Sequence, residues 1–128
     1  MKTQLEIEAL CSRILLMLEH DDLRRSTVVS LSDTLASLAL DLRSHLVEWR
    51  SADAGAAELI SAEDTLRSMN GDVVWLREYA GRKPLMEVAQ RVRMATLRAL
   101  RIVTLVQGVM AESTRQAAGI RQTQIVAP

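Results

Sequence analysis

Phenylalanine is absent from this chain of 128 residues, and only Trp49, Trp75 and Tyr79 are aromatic. The core must therefore be aliphatic. Glycine occurs five times and proline twice, a balance that disfavours a turn-rich all-β fold. One cysteine, Cys11, excludes an internal disulfide framework and is compatible with a reducing compartment. There is no run of 18 apolar residues, which argues against a transmembrane span. The opening MKTQLEIEAL lacks the charged-then-apolar layout of a secretory signal. The expectation is a soluble cytoplasmic protein with no membrane association.

Ligating and nucleophilic residues are equally sparse. Cys11, His20 and His45 are the only thiol and imidazole groups, and no two of them stand four residues apart. Cys-x-x-Cys, Glu-x-x-His and His-Glu-x-x-His are missing, and so is any glycine-rich phosphate loop. No metal and no cofactor is expected. His45 has Asp41 four residues earlier on the same helical face, which suits a histidine satisfied by that carboxylate. Ser37, Asp41 and His45 combine the residue types of a hydrolytic triad, but one straight helix spreads them over roughly 12 Å, too far for a proton relay. The neighbouring acids Glu6/Glu8, Asp21/Asp22 and Glu63/Asp64 fit solvated surface charge. No enzyme is expected.

What the chain does have is leucine and alanine, 19 and 16 copies, within a 48 % hydrophobic and 25 % charged composition. These are strong helix formers, and four segments carry helical spacing. In residues 3–22, Ile7, Cys11, Ile14 and Leu18 share a face that Leu10, Leu15, Leu16 and Met17 widen. Ser26 or Thr27 can cap a second segment over 27–50, whose seam is Val28, Leu31, Leu35, Leu38, Leu42, His45 and Trp49. Residues 51–55 form a loop. A third segment over 56–80 carries Leu59, Ala62, Leu66, Met69, Val73, Leu76 and Ala80, and this seam keeps register through Asn70-Gly71. One helix, kinked or straight, is favoured there over two. Gly81 and Pro84 mark the next boundary, a short connection suited to an antiparallel hairpin. The fourth segment runs over 84–118 with Leu85, Val88, Val92, Ala95, Ala99, Val103, Val106 and Met110 on one face.

The sequence thus predicts an all-α fold, an antiparallel four-helix bundle of helical hairpins with a long C-terminal helix. Residues 1–118 form a single helical domain. Gly119 ends the last helix, and 119–128 is a tail, flexible or ordered by a partner.

Charge is balanced overall but unevenly placed. Residues 1–80 carry 8 basic and 14 acidic side chains, and residues 81–128 carry 8 and 2. Arg91, Arg98 and Arg101 fall in a row on the fourth segment, with Glu87 beside them. Such a row can follow a phosphate backbone, although no aromatic residues interleave with it for base stacking. Apolar surface is also in surplus. Ile102, Leu105, Val109 and Met110 extend the fourth segment's apolar area beyond one stripe, as subunit or partner contacts do.

Two functional readings follow. The first is a non-enzymatic interaction protein, an adaptor or assembly element that self-associates into a homo-oligomer or binds another protein through Ile102, Leu105, Val109 and Met110. The second is a nucleic-acid-binding accessory protein using Arg91, Arg98 and Arg101.

Overall fold

The computed structural model describes the backbone of residues 1–51 and 56–126, and the side chains of 1–50 and 57–108. Four helices account for it: α1 (Gln4–Leu18), α2 (Arg25–Ser51), α3 (Ala56–Tyr79) and α4 (Leu85–Val126). No strand occurs among the described residues. The helices pack as a bundle in which α4 lies against each of the other three, and α2 and α3 also pack on one another.

Local chemistry fixes the helix ends. Thr3 and Glu6 form a capping box: the Glu6 N–H donates to the Thr3 hydroxyl at 3.2 Å, and the Thr3 N–H donates to the Glu6 carboxylate at 3.3 Å. Two orphan amide protons of the first turn are satisfied this way. α1 then stops at Leu18, four residues short of the expected end, because the Glu19 and His20 amides close back on the Leu16 and Met17 carbonyls. α2 starts earlier than expected, at Arg25, so Ser26 and Thr27 lie inside its first turn instead of capping it. The Arg25 guanidinium donates to the Ala80 carbonyl at 2.8 Å, satisfying an acceptor left open just beyond the end of α3.

α3 is one helix through Asn70-Gly71. A Cβ on Gly71 would meet open space, so this glycine serves no close approach and merely weakens the helix slightly. Gly81 sits in the connection to α4 without adopting the left-handed conformation. Pro84 precedes α4, and its carbonyl accepts the first helical bond, from the Val88 N–H at 3.1 Å. The stop expected at Gly119 does not occur: α4 continues to Val126, so residues 119–126 extend the helix instead of forming a separate tail. One glycine costs a helix only about 1 kcal/mol, and Ala117 and Ala118 before it favour continuation. Residues 52–55 of the expected loop and residues 127–128 lie outside the described residues.

The seams become the core. All of the α3 seam is buried, as are Val28, Leu31, Leu35, Leu38, Leu42 and Trp49 on α2. α4 buries two adjacent stripes, one of Val88, Val92, Ala95 and Ala99 and one that brings in Thr96, Ile102, Val103 and Val106. Its central place explains its double apolar face. The two buried hydroxyls among the described residues, Ser32 and Thr96, donate to the carbonyls four residues earlier, at 2.9 and 2.7 Å, and so cost the core little. α1 is thinner than expected: only Ile7, Cys11 and Ile14 are fully buried, while Leu16 and Met17 face outward.

Candidate functional site

The arginine row of α4 is divided by a carboxylate that the sequence reading did not single out. Asp72 on α3 is buried, 1 % exposed. Arg91 donates to its Oδ1 at 3.2 Å and Arg98 to its Oδ2. The Arg91 guanidinium also stacks over the Trp75 ring, 4.7 Å from its centre, a favourable placement for a planar cation. Two of the three arginines are thus oriented inward to one buried acid, and only Arg101 stands fully exposed. As a phosphate track the row keeps only Arg101 without a carboxylate partner among the described residues; as a clamp between α3 and α4, Arg91 and Arg98 share Asp72.

The apolar interface residues divide too. Ile102 is fully buried within the chain's own core and Leu105 packs half-buried against it, so neither is a free contact surface. Val109 and Met110 lie beyond the described side chains.

His45 takes a different partner from the one expected. Its Nε2–H donates to the Lys2 carbonyl at 2.8 Å, while Asp41 accepts the Lys2 N–H at 3.1 Å. The imidazole stacks on Trp49, with ring centres 5.4 Å apart, and Nδ1 lies 3.9 Å from Glu48. Asp41 and His45 therefore act jointly, but on the backbone of residue 2, clasping the start of α1 to α2. A second tie is the Gln107 amide, which donates to Glu8 at 3.1 Å and joins α1 to α4.

Cys11 is enclosed between α1 and the core. Burial, with a smaller contribution from the Glu8 carboxylate, pushes its thiol up to about 11 from an ordinary 9.0. The thiolate is the nucleophile and the metal ligand, so burial and the raised value both act against reaction at this residue. A raised value means that the folded state favours the neutral thiol. Its contribution to stability is complete below pH 9 and is lost as pH rises toward 11. At pH 8 an aromatic disulfide reagent should modify Cys11 at least 100-fold more slowly in native protein than in denaturant, and melting temperature should fall between pH 9 and 11. Modification at the unfolded rate would place the thiol outside the core.

An open groove of about 370 Å³ lies between α2 and α3, lined by Arg43, Val47, Arg50, Glu63, Arg67 and Asn70 over Leu46 and Leu66. Arg50 pairs with Glu63, and Arg67 with Asp64 at 3.0 Å. No group of three or more metal-ligating side chains converges among the described residues, and no described helix is long and apolar enough to cross a membrane. The seven-residue spacing of Arg91 and Arg98 was visible in the sequence, whereas the buried partner and the groove come from helices brought together by packing. Compared with protein-family models, curated proteins and solved structures, the chain gives no match.

Proposed function

We propose that this chain is a non-enzymatic interaction protein that self-associates, with the far half of α4 as the contacting element; holding a helix of another protein is the same element's alternative use. The observation that carries the reading is a mismatch of lengths. α4 has 42 residues beside 27 in α2, 24 in α3 and 15 in α1. At 1.5 Å per residue α4 is about 63 Å long and α2 about 40 Å, so roughly 20 Å of helix has no counterpart of equal length. The last buried residue on α4 among those described is Val106. An isolated helix is marginal in water, and packing against a second copy would stabilise the far half of α4.

Two further features support a binding role over a catalytic one. The single thiol is held neutral in the core, and the imidazole of His45 is occupied with the backbone of Lys2. The test is light scattering on the full chain and on a chain ended after Gly108, which keeps every described core residue. The full chain should exceed the monomer mass of 14.2 kDa, and the shortened chain should form a smaller assembly with its thermal transition retained. A full chain that stays monomeric at all concentrations, or a shortened one of unchanged stoichiometry, would overturn the proposal.

A further inference from the structure

Four of the exposed apolar residues form two rows. On α2, Leu40 and Val47 stand one heptad apart; on α3, Ile60 and Val74 stand two heptads apart with Arg67 between them. All four apolar side chains are 60–67 % exposed. Both rows flank the groove between α2 and α3, which Val47 and Arg67 themselves line. Residues at multiples of seven stay on one face of a helix. The result is a shallow trough with apolar shoulders, a floor of Leu46 and Leu66, and arginines at Arg43, Arg50 and Arg67. Arg43 has no carboxylate partner among the described residues, and three arginines meet one carboxylate, Glu63, in the lining. Arginine on an apolar surface is what helix-binding interfaces favour.

A complementary surface lies elsewhere in the same chain. The outer side of α1 presents Leu5, Ala9, Ser12 and Leu16 at steps of four, three and four, with Leu5 75 % and Leu16 68 % exposed. Acids surround this stripe: Glu6, Glu8 and Glu19, followed by Asp21 and Asp22, against Arg13. α1 is about 22 Å long, and the stretch of α2 from Leu40 to Arg50 rises about 15 Å, so one helix covers the trough. The chain's own α1 cannot do so. The clasp of Lys2 by Asp41 and His45 holds it on the opposite flank of α2.

We propose that the trough between α2 and α3 receives the outer face of α1 from a second copy of this chain, apolar stripe against apolar shoulders and acids against Arg43, Arg50 and Arg67. The contact joins two different surfaces, so two copies that exchange it close a dimer, and copies that do not close it extend a chain. This inference rests on the reading of the protein as self-associating and names a surface separate from the end of α4.

Two full-length variants test it. One carries Arg43→Glu and Arg67→Glu; the other carries Glu19→Arg and Asp22→Arg, which leave the Glu8–Gln107 tie in place. Every substituted side chain is exposed, and circular dichroism checks that each variant keeps its helices. Each variant alone should show a lower assembly mass than the unaltered chain, because like charges then face each other. An equimolar mixture should regain the original mass, because each kind of trough then finds an α1 of opposite charge. An unaltered chain that is itself monomeric overturns both this contact and self-association. An oligomer whose mass neither variant lowers, or whose loss mixing does not repair, overturns the contact alone.

Discussion

Replacing Asp72 with alanine is expected to lower folding stability by about 3 kcal/mol. The carboxylate is buried and is the shared acceptor of Arg91 and Arg98. Its removal leaves two guanidinium groups of α4 directed into the contact with α3 with no counter-charge. Breaking a buried ion pair from one side costs about 3–5 kcal/mol. Both arginines are about one-third exposed, so water recovers part of their solvation and the lower end applies. A domain has some 5–15 kcal/mol in total, which makes this a large fraction. Urea unfolding followed by circular dichroism measures it as a lower midpoint at unchanged slope. The triple variant with Asp72, Arg91 and Arg98 all replaced by leucine or methionine should lose far less, because no charge is then left uncompensated. A loss below about 1 kcal/mol for Asp72→Ala would mean that the pair behaves as an ordinary surface ion pair.

The second large effect is at Ile102. A substitution to aspartate there should unfold the chain rather than dissociate an assembly. The side chain is fully buried on the helix that touches all the others. An unpaired carboxylate in that position costs about 5 kcal/mol or more, comparable with the whole stability of the domain. Far-UV circular dichroism should show collapse of the helical signal at 25 °C, and no cooperative thermal transition should remain. A folded, helical monomer would instead restore Ile102 to a subunit interface. Leu105→Asp, at a half-buried site, should give a milder loss with a transition still measurable.

The architecture was legible because apolar spacing is redundant. The α3 seam of Leu59, Ala62, Leu66, Met69, Val73, Leu76 and Ala80 is buried in full, and its unbroken register correctly predicted a continuous helix across Asn70-Gly71. What failed were single-residue punctuation signals. Gly119 looked like a stop, yet one glycine is too weak to end a helix. Ser26 and Thr27 looked like caps, yet α2 begins ahead of them. Polar tertiary partners were illegible for a different reason. Asp72 is indistinguishable in sequence from a solvated acid until Arg91 and Arg98 are packed beside it, and Asp41 and His45 find a backbone segment 39 to 43 residues away. The surplus apolar surface of Ile102 was recognised correctly but ascribed to an interface, because sequence spacing does not tell a helix at the centre of one bundle from a helix shared by two.

The link between α1 and α4 has a bearing on how the protein is made. Glu8 and Gln107, joined by a hydrogen bond, stand 99 residues apart, and α1 precedes α4 as the chain leaves the ribosome. The stripe of Ile7, Cys11 and Ile14 therefore emerges long before the surface that covers it exists. Contacts of such long sequence separation form late because their loop must close first. Until α4 has been made, the segment that becomes α1 lacks the surface that covers this stripe, and its apolar side chains stay open to water.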